Sequence, residues 1–130
     1  MTEKSLLNSF QYSLREFSGS TQYYYNPLFK NLNYTDGVKY FMENAGQGAY
    51  RFLTLVATEI KPILQEDFYF IELLVNEDKT AKIKVQRDKG EPNLYKKNLS
   101  YTDCPPSKVP YKFCLGLQSE FSILCLLSEY

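Results

Sequence analysis

The sequence predicts an α+β domain in which two or three N-terminal helices pack on a four- to five-stranded antiparallel C-terminal meander. Two patterns predict it. Apolar residues recur at three- and four-residue steps up to about residue 61, then alternate at every second residue from about 67 to about 128. Short turn-like segments separate the alternating runs, which places consecutive strands antiparallel. No repeat, low-complexity tract or interior linker divides the 130 residues, so residues 1–130 read as one domain.

Leu6, Leu7, Phe10, Leu14 and Phe17 form one apolar stripe, a helix over about Ser5–Phe17 that Gly19 terminates. Ser20 to Asn33 reads as ordered loop, because Tyr23, Tyr24 and Tyr25 lead into Asn26-Pro27, which disfavours helix. A second helix opens at Thr35 or Asp36, turns Val38, Phe41 and Ala45 inward, and breaks around Gly46-Gln47-Gly48. A third starts near Ala49, with Phe52, Leu53, Val56 and Ile60 on one face, and ends or kinks at Lys61-Pro62.

Phe68 to Val75 is a buried-looking strand and Asn76 to Lys79 a turn. Thr80 to Gln86 alternates, with Ala81, Ile83 and Val85 on one side and Lys82 and Lys84 on the other. A strand over Leu94–Leu99 follows a Lys-Gly-Glu-Pro-Asn turn, and Tyr111, Phe113, Leu115 and Leu117 alternate after Pro105-Pro106. Phe121, Ile123, Cys125 and Leu127 complete the last strand. The expected core is Phe10, Leu14, Phe52, Val56, Ile71, Leu73, Ile83, Val85, Phe113 and Leu115.

Fifteen basic residues balance fifteen acidic ones, so global charge favours neither a nucleic-acid-binding tail nor an acidic mimic. The Met-Thr-Glu-Lys start leads into no apolar core, and no apolar run is long enough to span a bilayer. Three cysteines (Cys104, Cys114 and Cys125) without a C-x-x-C pair and without histidine leave an all-protein zinc site short of ligands. Reduced thiols and a cytoplasmic location are expected; no metal or other cofactor is implied.

The absence of histidine removes Ser-His and Cys-His nucleophile systems. Asp36 and Asp103 both sit in Tyr-Thr-Asp triplets, and two carboxylates brought together could share a proton or hold a cation. Helix capping at Asp36 and turn chemistry at Asp103 are the simpler reading. The glycines form no phosphate loop. No catalytic set is legible, and an enzyme built on Asp36, Asp103 and tyrosines is a further alternative.

Twelve tyrosines and nine phenylalanines are a heavy aromatic load, suited to core edges and to interfaces. Tyr23, Tyr24 and Tyr25 are the candidate contact residues for a protein or ribonucleoprotein surface. The second signal is electrostatic: Lys79, Lys82, Lys84, Arg87, Lys89, Lys96 and Lys97 face only Asp88 and Glu91 in their stretch. Lys82 and Lys84 share a strand face that Lys96 can join, with Tyr95 on the opposite alternation. Lys82, Lys84, Arg87, Lys96 and Lys97 are candidate nucleic-acid contacts; a solvated or aggregation-guarding face is the alternative.

Three blocks carry a resemblance. They are Leu14-Arg-Glu-Phe-Ser-Gly-Ser-Thr-Gln-Tyr23; Tyr34-Thr-Asp-Gly-Val-Lys-Tyr40 with Gly48-Ala-Tyr50; and Tyr101-Thr-Asp103 and Pro105 with the terminal Leu-Leu-Ser-Glu-Tyr. In this order they resemble the small bacterial family of unknown function DUF6876. The family pattern has Trp after Gly-Ala-Tyr, where this chain has Arg51, and no Trp occurs in the chain. The resemblance implies one compact domain and an accessory role in bacteria, plasmids and phages, such as inhibition of a host defence system in the manner of anti-CRISPR proteins. The combined expectation is a non-enzymatic binding protein that occupies a protein or ribonucleoprotein surface, with a nucleic-acid-binding accessory protein as the alternative.

Overall fold

The structure, a computed structural model, describes residues 23–29, 31–63, 68–87, 91–117 and 122–129. The helix expected over Ser5–Phe17, with its core residues Phe10 and Leu14, lies outside the described residues, as do Lys89 and Phe121. The elements are β1 (Tyr23–Tyr25), β2 (Leu32–Thr35), α1 (Asp36–Asn44), α2 (Gln47–Leu55), β3 (Phe68–Val75), β4 (Ala81–Gln86), β5 (Asn93–Leu99), β6 (Tyr111–Leu117) and β7 (Ser122–Leu126).

The α+β class holds, but the sheet is larger than expected and mixed. Among the described residues its seven strands run in the order β1-β2-β7-β6-β3-β4-β5. Every pairing is antiparallel except β2 with β7, where Leu32, Asn33 and Tyr34 lie beside Ser122, Ile123 and Leu124. The segment expected to be loop supplies both extra strands: Tyr23, Tyr24 and Tyr25 pair with Thr35, Tyr34 and Asn33. Asn26-Pro27 still ends β1, and the turn at Pro27–Phe29 reverses the chain. The meander is also interrupted, because β6 pairs with β3 rather than with β5. The Pro105-Pro106 segment carries the chain back, fixed by the Thr102 N–H on the Lys79 carbonyl (2.8 Å) and the Ser107 N–H on the Val75 carbonyl (3.1 Å).

The helices cover one sheet face. From α1, Val38, Phe41 and Met42 are buried at helical spacing, and Ala45 follows them inward. Gly46 breaks the chain with φ of +80°, a conformation in which glycine is favoured. The helix resumes at once, so Gln47 and Gly48 belong to the first turn of α2 rather than to the break. From α2, Phe52, Leu53 and Leu55 enter the core. The helix widens into a π turn at Val56–Ile60 before a short 3-10 turn at Lys61–Ile63. Pro62 has no N–H, and its ring would collide with the carbonyl four residues earlier in a continuing α-helix. The widened turn keeps both Val56 and Ile60 fully buried.

Against these pack Ile71 and Leu73 of β3, Ile83 and Val85 of β4, and Phe113 and Leu115 of β6, all at most 1% exposed. Phe41, Phe52 and Phe113 form an aromatic centre, with Phe52 and Phe113 ring centroids 4.8 Å apart and Phe41 and Phe113 5.3 Å apart and edge-on. All eight expected core residues that are described lie in this core. The last strand is the exception in phase: Ser122, Leu124 and Leu126 face the core, whereas Ile123 and Cys125 are half-buried on the other face. Both alternations of this segment are apolar, so periodicity does not fix its facing; the pairings with β2 and β6 do.

Candidate functional site

The two Tyr-Thr-Asp triplets act at helix N-termini, where unpaired backbone N–H groups and the helix dipole attract carboxylates. Asp36 opens α1. Asp103 is not the local turn residue expected from its sequence. It reaches α2 from 55 residues away, taking hydrogen bonds from the backbone N–H of Gln47 (2.9 Å, Oδ2) and of Gly48 (Oδ1). Burial pushes its carboxyl up, but the Gly48 and Gln47 donors, with the nearby Lys79, outweigh that and hold it below its ordinary value. Thr35 makes no capping bond to α1. Its hydroxyl donates instead to Glu129 (2.6 Å), which also accepts the N–H of Gly37 (3.1 Å) and of Leu126 (2.9 Å). A Cβ on Gly37 would stand 2.6 Å from Leu126 Cδ1, and one on Gly48 would collide with Thr102 Oγ1. Glycine at these positions lets the carboxylates reach the helix ends.

The sheet face opposite α1 and α2 carries Tyr23 and Tyr25 at one end and Lys82, Lys84 and Lys96 at the other. At the β1 edge, Tyr23 and Tyr25 are 59% and 57% exposed. Tyr24 points to the opposite side, stacks on Tyr34 with centroids 6.0 Å apart, and lies under the Lys39 ammonium at 4.4 Å. Its hydroxyl bonds to Asp36, which with burial raises the Tyr24 phenol above its ordinary value. Burial, with Tyr50 and Glu43 nearby, raises Tyr34 likewise. The structure thus divides the triplet: Tyr23 and Tyr25 are presented, and Tyr24 anchors the strand that presents them.

At the other end, Lys84 lies directly opposite Lys96 across β4 and β5, and Lys82 lies two residues along on the same face. Among the described residues, no carboxylate is within ion-pair distance of these three lysines. Glu72 stands beside Lys84 on β3 and Lys112 lies beyond it on β6, so one row reads Lys112, Glu72, Lys84, Lys96. An open recess of about 350 Å³ beside Lys82 is lined by Asn76, Thr80, Ala81, Asn98, Leu99 and Ser100. Arg87 is exposed just beyond β4 and has an interaction partner of its own.

Lys97 does not join this group. Strand alternation turns it to the helix-covered side, where its ammonium lies 3.0 Å from both oxygens of Glu59. Tyr95 donates to the same carboxylate at 2.9 Å. Lys97 and Tyr95 hold Glu59 below its ordinary value, while burial and then Glu59 push Tyr95 up to about 12. Such a phenol stays protonated at neutral pH and is poorly matched to general-base work. The π turn places Glu59, so this cluster ties the helical layer to β5.

Among the described residues, no three His, Cys, Asp or Glu side chains group as a metal site, and no helix is long and apolar enough to cross a membrane. The pattern of the family of unknown function DUF6876 matches residues 8–130. The chain belongs to this family. Among curated proteins none matches the chain. A similar fold occurs in the crystal structure of a protein of unknown function from Enterococcus faecalis, at TM-score 0.51 and 13% identity, covering 77% of this chain and 90% of that one. That likeness concerns the fold alone.

Among the described residues, two pairs of segments far apart in sequence meet in space. Gly37 of Tyr34–Tyr40 meets Glu129 of the terminal block, and Gly48 of Gly48-Ala-Tyr50 meets Thr102 and Asp103 of Tyr101–Asp103. These contacts form two helix-end clamps. Glu129 and Glu59 escaped the sequence reading. The terminal Ser-Glu gives no local capping signal for a helix more than eighty residues earlier, and Glu59 carries no signal beyond its place before Lys61-Pro62.

Proposed function

We propose that this chain is a non-enzymatic binding protein that docks on a protein or ribonucleoprotein surface through its tyrosine edge strand. The observation that carries this reading is the pair Tyr23 and Tyr25, both more than half exposed on the terminal strand of the described sheet. They are held from behind by Tyr24 against Tyr34 and Lys39. Exposed aromatics on a pre-ordered backbone are the kind of group that dominates protein interfaces, because little freedom is lost on docking. The backbone of an edge strand can also accept an added strand. The narrower role, a mobile-element inhibitor of a host defence system acting like anti-CRISPR proteins, has the family resemblance as its support.

The test is affinity capture with the full chain from a bacterial host lysate, with and without nuclease, comparing wild type, Tyr23→Ala/Tyr25→Ala and Lys82→Gln/Lys84→Gln/Lys96→Gln. A protein partner that survives nuclease and is lost only with the tyrosine variant is the expected result. Recovery of nucleic acid alone would overturn the reading.

A second reading, direct contact with RNA or DNA, is favoured by Lys84 facing Lys96 with no intervening carboxylate. Like charges directly opposite one another weaken a sheet unless an anion sits over them. Three phosphate contacts give a log–log salt slope of roughly −2 to −3, and the triple lysine variant should flatten it.

A further inference from the structure

Cys114 of β6 and Cys125 of β7 occupy directly opposed positions in an antiparallel pair. Opposed residues project from the same face, and their Cα atoms stand about 4.5–5.5 Å apart, inside the roughly 4.4–6.8 Å that a disulfide requires. Both thiols are free. We propose that Cys114 and Cys125 form a peroxide-reactive dithiol that closes to an intrachain disulfide, a modification site separate from the tyrosine edge and the lysine row.

The two thiols differ in a way that sets the order of events. Cys125 is partly exposed and Cys114 is fully buried, so a small oxidant meets Cys125 first. Hydrogen bonding from the Cys114 thiol holds Cys125 below its ordinary value against burial and the nearby Glu129 carboxylate, and the Cys114 backbone N–H adds to it. The same bond, with burial, pushes Cys114 up. The Cys125 thiolate therefore attacks one oxygen of hydrogen peroxide. An S–O bond forms and the O–O bond breaks. Hydroxide leaves and takes up a proton as water, and the sulfur is oxidised to a sulfenic acid. Cys114 then loses its proton and attacks the Cys125 sulfur; the S–S bond forms, the S–O bond breaks, and the departing hydroxide leaves as a second water. Two thiols and one peroxide thus give one disulfide and two waters.

The product would matter for the sheet, because β7 is the strand through which β1 and β2 join the rest. A cross-link between β6 and β7 fixes that junction. Cys104 is the internal control: it is buried apart from the pair, and burial raises its thiol above the ordinary value.

The experiment exposes the reduced full chain to one equivalent of hydrogen peroxide, unfolds it, counts free thiols and maps the cross-link by peptide mass. The expected result is one remaining thiol, at Cys104, and a Cys114–Cys125 linkage within a single chain that a dithiol reductant reverses. In Cys114→Ser, which keeps an O–H donor beside Cys125, a 1,3-dione reagent should label Cys125 as sulfenic acid, whereas in Cys125→Ala position 114 should stay unlabelled. Circular dichroism establishes that each variant is folded, and the wild-type linkage map stands without them. Three free thiols at a peroxide dose that oxidises dithiothreitol, a linkage through Cys104, or a linkage between chains would each overturn the proposal.

Discussion

Replacing Asp103 by alanine tests whether the distant clamp on α2 is structural. The substitution removes the acceptors of two backbone N–H groups at a helix N-terminus. Hydrogen bonds to a charged group contribute about 1.5–3 kcal/mol each when shielded. Here Gln47 is exposed and Gly48 half-buried, so water replaces much of what is lost. Loss of a capping side chain typically costs about 0.5–2 kcal/mol. Two acceptors lost together place this case near the top of that range, about 2 kcal/mol, or a fall in Tm of about 6–9 °C for a domain of this size. The pH dependence follows from the lowered carboxyl. A group whose folded value is depressed stabilises the fold above its unfolded value and loses that contribution as pH falls through the folded one. The gap between wild type and Asp103→Ala should therefore be full at neutral pH and persist down to the ordinary carboxyl value of 3.8. Below that it should close. Asp103→Asn, which keeps one acceptor and no charge, should cost about half as much. Denaturant unfolding from pH 7 down to about pH 3 measures this. A cost under about 0.5 kcal/mol, or a gap that does not narrow in acid, would mean that Asp103 does not support α2.

Glu129→Ala should destabilise by about 1–2 kcal/mol in the same assay, since it removes the acceptor of Thr35, Gly37 and Leu126 together; a change within experimental scatter would detach the C-terminal turn from α1. Phe52→Ala should cost about 3–5 kcal/mol, because the ring is 2% exposed and packs on Phe113; a loss below about 1 kcal/mol would place it outside the core. Site-resolved NMR titration should find Tyr95 ionising near 12, and Glu59→Gln should lower that value while leaving it above 10.0, because burial is the larger cause. A Tyr95 value that does not change on Glu59→Gln would show that the Glu59 cluster does not form.

The parts of the fold legible in the sequence are those whose signal is local. Ala81-Lys82-Ile83-Lys84-Val85 separates its faces by charge, so its alternation followed directly, and Lys96 joins the face of Lys82 and Lys84 through a register that the sequence left open. Val38, Phe41 and Ala45, like Phe52 and Val56, carry a helical period that core contacts reinforce. What was missed is non-local. β1 and β2 are three and four residues long, too short for a period, and β2 is held by a parallel partner some ninety residues later. Local turn residues argued for loop there, and pairing overrode them. The clamps follow the same rule: Gly37, Gly46 and Gly48 advertise close approach without naming Glu129 or Asp103 as what approaches. The facing of Lys97 was legible, because adjacent residues on a strand face opposite ways and Lys96 shares the face of Lys82 and Lys84.

Magnitudes decide between the two surface readings. Two ammonium groups about 6 Å apart in a water-like medium repel by about 0.7 kcal/mol, less once salt screens them. That is small enough for an edge strand to carry simply as a guard against sheet-to-sheet aggregation, and β5 is an edge strand. The lysine row therefore needs no ligand to account for it. Tyr23 and Tyr25 differ, because each leaves more than half of a large ring in water. Covering one would gain about 2–3 kcal/mol before the costs of association. The backbone between them is already fixed, since Tyr24 is tied to Tyr34, Lys39 and Asp36 and the strand is paired along its length with β2. Two exposed rings on an ordered strand match a protein surface with pockets for alternate side chains better than a phosphate backbone, and this ranks the tyrosine edge first.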